Sequence, residues 1–291
     1  MRGVRITGST EATTPVNSPF NPITSTQNPK IKQIKKLRDR RGRQREDLFV
    51  IDDGRDLARA LDCDYTVSYA LYCPALADET DNALLDQIPT ERVYEVPASL
   101  IQKASYRQNP GGLLAVMEQK PPLDADALRA TLRESASPIL ALVDLRKPGN
   151  IGALLRTADA SGFAIICLVD SALDLYNPNI IRSSTGACFL DNVYCLSSEE
   201  VLTIFREHGY ALVAAAVDGD SELFTADLRG KVAIALGRED QGLDPTWQHH
   251  ADLRVKIPMV GKLSDSLNVS VSGAIFMFEV LRQRSQTSFP T

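Results

Sequence analysis

The sequence predicts an open α/β sheet of parallel strands, preceded by a smaller α/β domain. Three observations predict it. Ile139–Val143, Val232–Leu236, residues 164–169 and residues 211–217 are continuously apolar rather than alternating, the pattern of strands covered on both faces. Helical segments lie between them, as parallel strands require. Upstream, Lys120-Pro121-Pro122-Leu123 punctuates and stiffens the chain, which separates a first domain from the second.

Residues 1–22 carry Pro15, Pro19 and Pro22 among many Ser and Thr, and are expected to be a disordered tail without the apolar stretch of a secretory signal. Asn28-Pro29 opens a helix, with Asn28 as cap and Pro29 at its first position. Ile31, Ile34 and Leu37 give it an apolar seam, and Gly42 is expected to end it. Leu48–Ile51 reads as a strand, and Asp53-Gly54 turns into a helix through Leu57, Ala58 and Leu61. Further strands at Val67–Tyr72 and 92–96 complete a domain over 23–118. Residues 119–136 form a linker with a connecting helix, and 137–285 form the second domain. There, Ile151, Leu154, Leu155 and Ala158 make the buried stripe of a helix that Asn150 can cap. Ser197 and Glu200 form a capping box for a helix ending at Gly209. A last apolar helix runs over about 269–284, with 286–291 as a tail. No internal repeat is present.

The chain has 291 residues, 44% hydrophobic and 24% charged, the composition of a soluble globular protein. No apolar run approaches the ~18 residues of a membrane span. Five cysteines without C-x-x-C spacing and three histidines argue against a metal site and for a reducing, cytoplasmic setting. The net charge of −5 hides an asymmetry. Residues 30–45 hold nine bases (Lys30, Lys32, Lys35, Lys36, Arg38, Arg40, Arg41, Arg43, Arg45) against Asp39 alone. That segment carries +8, so the remainder carries −13. Concentrated positive charge on an acidic protein points to nucleic-acid contact.

Three polar clusters sit where strands end, the place at which open α/β sheets bind ligands. The first is Pro148-Gly149-Asn150-Ile151-Gly152-Ala153-Leu154-Leu155-Arg156, whose Arg156 points away from the buried stripe, free to pair with Asp159 or to be solvated. The second, Gly237-Arg238-Glu239-Asp240-Gln241-Gly242, has the glycine spacing of a P-loop, but Leu243-Asp244 stand where Lys-Ser/Thr must follow. The third is Ile257-Pro258-Met259, then Ser266-Leu267-Asn268 at the mouth of the last helix. Ser266 or Asn268 could serve as its N-cap. No G-x-G-x-x-G is present.

In this order the clusters resemble motifs 1, 2 and 3 of the SpoU (TrmH-like) branch of the SPOUT RNA 2′-O-ribose methyltransferases. The segments S-T-Q-N-P-K-I-K and F-V-I-D-D-G resemble the L30e-like substrate-binding domain of the rRNA-modifying members, with Asp53-Gly54 where Glu-Gly is usual. The resemblance implies a SPOUT-type α/β knot, S-adenosylmethionine as cofactor, and a homodimer with rRNA, most of all 23S rRNA, as partner. It implies cofactor contacts at Leu236, Gly237, Gly242, Ile257, Met259 and Leu267. It implies catalytic roles for Asn150, Arg156, Glu239, Ser266 and Asn268, with Glu239 fixing Arg156 or the third cluster. Arg156 is nearest the nucleophile by similarity. Guanidinium is effectively never deprotonated, so a clamp on the target's phosphate suits it better than a base. The basic segment would grip RNA backbone, and Arg107 within Tyr106-Arg107-Gln108-Asn109 would help read a loop. A tRNA 2′-O-methyltransferase, or a non-catalytic RNA-binding or ribosome-assembly protein on the same fold, are the alternatives.

Overall fold

The structure, a computed structural model, describes residues 18–263 and 266–287. The first domain comprises β1 (Asn21–Pro22), α1 (Pro29–Lys36), α2 (Arg40–Glu46), β2 (Leu48–Ile51), α3 (Gly54–Asp62), β3 (Val67–Tyr72), α4 (Glu79–Leu85), β4 (Val93–Glu95), α5 (Ala98–Ala104) and β5 (Leu113–Glu118). Its five strands lie in the order β1-β4-β3-β5-β2. Residues 1–17 of the expected tail lie outside the described residues. The part described differs from expectation, because Asn21 and Pro22 pair in parallel with Tyr94 and Glu95. As an edge strand it can accommodate a proline, whose missing N–H costs no ladder bond on the open side.

The basic segment also departs from the sequence reading. The first helix stops at Lys36, and Gly42 lies buried inside α2 rather than at a helix end. A Cβ at Gly42 would stand 2.0 Å from the Lys36 carbonyl oxygen. The glycine is there because two short helices meet at that point, not because one terminates.

After α6 (Ala125–Glu134), the second domain runs β6 (Ile139–Val143), α7 (Pro148–Ser161), β7 (Ile165–Val169), α8 (Pro178–Ser184), β8 (Val193–Leu196), α9 (Ser198–Glu207), β9 (Ala211–Ala215), β10 (Ser221–Glu222), β11 (Val232–Leu236), α10 (Pro245–His250), β12 (Leu253–Lys256) and α11 (Val269–Thr287). Its seven strands are ordered β10-β12-β9-β11-β6-β7-β8, and every pairing is parallel. Residues of β6, β7 and β11 are buried throughout, as continuous apolar runs demand when helices cover both faces. Lys147, not Asn150, is the cap position of α7, with Pro148 at the first turn. Asn150 sits inside that turn, and its side chain is thereby free for other partners.

The two domains share a core. Phe49 stacks on Tyr176 with ring centroids 4.5 Å apart, and Tyr65 meets Phe189 edge-on at 5.2 Å. The linker is held along its length. Gln119 donates to the Arg43 and Leu48 carbonyls, Lys120 to the Cys63 carbonyl and Asp191, and Leu123 accepts from the Cys195 amide. Beside it, Arg43 grips Asp174 with two bonds of 2.9 and 2.7 Å.

Candidate active site

Four chain segments leave the C-terminal ends of β9, β11 and β12 and the mouth of α11, and enclose a cavity of about 420 Å³. That size suits a small-molecule ligand. Leu236, Gly237, Gly242, Ile257, Met259 and Leu267 all line it, with Glu239 and Ser266. The loop after β11 is closed on itself. The Arg238 amide donates to the Gly242 carbonyl at 3.0 Å, and the Gly242 amide returns a bond of 2.9 Å. Gly237 is required at the start, since a Cβ would fall 2.2 Å from the Gly242 carbonyl carbon. The lining combines backbone and apolar side chains with Asp218, Glu239, Asp240 and Arg238, and with the polar side chains of Gln241, Gln248, Ser266 and Ser272. A cavity of this size, walled by backbone groups and apolar side chains with carboxylates among them, has room for the S-adenosylmethionine that the resemblance implies.

One relay ties the clusters together. Asn150 donates to Glu239 at 2.7 Å, and Asn268 donates to the Asn150 side-chain oxygen at 3.3 Å. Residues 89 and 118 positions apart thus meet. Asn268 simultaneously caps α11, its Oδ1 accepting from the Ser270 amide at 2.9 Å. Capping and site roles are not alternatives here, because the amide's oxygen serves the helix and its nitrogen serves Asn150.

Arg156 is placed elsewhere. It is exposed, does not line the cavity, and makes no hydrogen bond to Glu239 or ion pair with Asp159 among the described residues. It faces a second cleft, between the domains. The expected Glu239–Arg156 contact is replaced by Glu239–Asn150, because Arg156 lies six residues further along α7. That is about 9 Å of helix rise and a different face.

The basic segment divides into bound and free charges. Arg43 is 2% exposed, and besides Asp174 it bonds the Leu37 and Arg38 carbonyls. It cannot contact RNA, and that expectation is corrected. Arg38 bonds the carbonyls of Lys103, Ala104 and Ser105, Arg40 the Ala172 carbonyl, and Arg45 pairs with Glu46. Lys30 lies over the rings of Tyr69 and Tyr94. Lys32, Lys35, Lys36 and Arg41 are exposed. Arg107 pairs with Asp53. Burial raises the Asp53 carboxyl, but Arg107 and the amides of Asp56 and Arg55 outweigh it and hold it below the usual range.

Sequence reasoning missed Ala215, Ala216, Val217 and Asp218, which form a wall of the cavity. Their signal was positional only, since they end an apolar strand on the same edge as the other clusters. Among the described residues no His, Cys, Asp or Glu cluster could hold a metal ion, and no helix is long and apolar enough to cross a membrane.

Residues 137–278 match the SpoU rRNA Methylase family, and residues 28–115 the MRM3-like substrate binding domain. A 23S rRNA (guanosine-2′-O-)-methyltransferase RlmB of Shewanella oneidensis is 47% identical over 79 residues, which is 27% of this chain and 32% of that protein. The chain thus aligns with about a third of that curated relative's length. Solved structures are matched along almost their whole length. An RNA 2′-O ribose methyltransferase is 35% identical with a TM-score of 0.77, covering 91% of this chain and 99% of the other. An AdoMet-bound rRNA methyltransferase from Sinorhizobium meliloti is 28% identical with a TM-score of 0.78, covering 91% and 98%. With both domains matched and the fold shared over 91% of its length, the chain belongs to the SpoU rRNA methylase family.

Proposed function

We propose that the chain transfers a methyl group from S-adenosylmethionine to a ribose 2′-hydroxyl of 23S rRNA. The observation that carries this is the Glu239–Asn150–Asn268 relay, set against a cavity lined by all six expected cofactor positions. The cofactor supplies an already activated methyl on a positive sulfur, so the protein's work is alignment and removal of one proton. Glu239 fixes Asn150, and Asn268 holds Asn150 from the other side, so the amide is presented in one orientation. Ser266 is exposed and lines the cavity, which supports the role of meeting the incoming sugar. Arg156, with no carboxylate partner among the described residues, suits a bidentate hold on a phosphate near the target. The proton then leaves through phosphate oxygen or water.

The first domain, over about residues 23–118, is the RNA-binding part in this reading, with Lys32, Lys35, Lys36 and Arg41 as its free charges. The protein acts as a homodimer. Val271, Phe278 and Leu281 stand exposed on α11 at 47%, 49% and 38%, with Val260 and Leu263 exposed in the loop ahead of it. Such an apolar surface next to the cavity suits a second copy. Five free cysteines are in keeping with a reducing cytoplasm. The knot implied by the family resemblance belongs to the same proposal.

The test is incubation of purified 23S and 16S rRNA, and of tRNA, with labelled S-adenosylmethionine, followed by mapping of the modified ribose. Label at one 2′-hydroxyl of 23S rRNA is expected. Label on tRNA alone would replace the substrate, and cofactor binding without transfer to any RNA would overturn the enzyme reading.

A further inference from the structure

The cleft between the domains, about 230 Å³, is lined by five arginines: Arg55, Arg59 and Arg107 from the first domain, Arg156 and Arg182 from the second. Its carboxylates are largely occupied. Asp53 pairs with Arg107 and, at 3.7 Å, with Arg55. Asp52 accepts from the Tyr106 amide at 2.7 Å and the Arg107 amide at 3.2 Å. Asp56 is buried and acts on Arg59 electrostatically without forming an ion pair. Arg59, Arg156 and Arg182 therefore face one gap with no salt bridge among the described residues. Three like charges converging from α3, α7 and α8 repel one another unless an anion joins them.

The placement is built rather than incidental. Arg59 lies across Gly186 of the second domain, where a Cβ would come within 2.5 Å of its Cδ. The arginine stem of one domain is thus seated on the backbone of the other. The linker and the Arg43–Asp174 pair hold the two walls together. Exposed guanidinium groups from both domains on one cleft match the oxygens of a phosphodiester. The gap also opens beside α7, the helix that about two turns earlier bonds Glu239 of the first cavity through Asn150.

We propose that this interdomain cleft is a phosphodiester site, in which Arg59 and Arg182 hold RNA backbone phosphates flanking the modified ribose. This rests on the methyltransferase reading and deepens it. The basic face of α1 lies outside the cleft, so the two make separate contacts. Arg59 and Arg182 are positioning residues, and they leave cofactor binding untouched.

The experiment measures binding of in vitro transcribed 23S rRNA to the full-length protein over a KCl series, with cofactor affinity and methyl transfer recorded alongside. For the double variant Arg59→Gln/Arg182→Gln, KM for RNA should rise at least tenfold. The slope of log affinity on log salt should fall by about 2, near 0.9 per lost phosphate contact. Cofactor affinity and kcat at saturating RNA should stay within twofold of wild type. The double variant Arg59→Lys/Arg182→Lys should recover most of the slope. If the double Gln variant melts early, each single Gln variant decides, with an expected slope loss of about 1. An unchanged salt slope, or a slope that lysine does not recover, overturns the cleft proposal alone. Absence of methyl transfer by the wild type overturns the reading beneath it.

Discussion

At the scale of single residues, Asn150 is the centre of the proposed chemistry. Its two amide atoms are both engaged, one by Glu239 and one by Asn268. Asn150→Ala and Glu239→Ala should each lower methyl transfer at least tenfold with the fold retained, checked by initial rates and circular dichroism. Arg43 makes the opposite case. Arg43→Ala strands Asp174 and two carbonyls in a buried place, and should cost about 3 kcal/mol by urea denaturation. Asp56 adds a pH dependence. Burial first, and then the Asp53 charge, push its carboxyl from 3.8 up to about 6. Between those values the folded chain keeps a proton that the unfolded chain has released, so wild-type stability falls as pH rises through that window. Asp56→Asn should therefore stabilise the protein at pH 8 and have less effect at pH 4, read from urea midpoints. An equal effect at both pH values would sink the assignment. None of this was legible from composition. Arg43 looks like any of nine bases, since its fate is decided by Asp174, 131 positions away.

Elements were more readable than residues. Continuous apolar runs gave β6, β7, β9 and β11 because a strand covered on both faces leaves no room for alternation. The Ser197–Glu200 box located the start of α9 because its bonds are local. Gly42 misled because a glycine needed for close approach of two helices carries the same letter as one that ends a helix. Asn150 misled for a related reason. It stands at a helix start, yet Lys147 and Pro148 set that start. The six residues expected at the cofactor were named through family resemblance rather than through pattern, since glycine and apolar residues give no polar signal, and the structure shows of them that they line one cavity. At this scale the exposed side of α11 has a consequence. Phe278→Glu places a charge in the apolar surface proposed to meet a second copy. It should shift the protein to monomer in sedimentation velocity, whereas an unchanged sedimentation coefficient would remove α11 from the interface.

For the whole molecule, the shared core matters most. The sequence marked a linker at the paired prolines, and a linker invites the expectation of independent domains. The structure instead runs one apolar cluster from Phe49 and Tyr65 through Tyr176 and Phe189. Thermal unfolding should then be a single transition, with far-ultraviolet circular dichroism and tyrosine fluorescence coinciding. Two separated transitions would mean that the contact is weaker than the packing suggests. The pinned linker has one more effect. An enzyme that hinges can adapt its grip to many substrates and recover the cost by closing. Here both jaws are set beforehand, so in the function proposed above selection falls on the RNA. An RNA whose own folding already splays one nucleotide at the matching offset loses little freedom on docking, and a flexible strand of identical sequence loses far more.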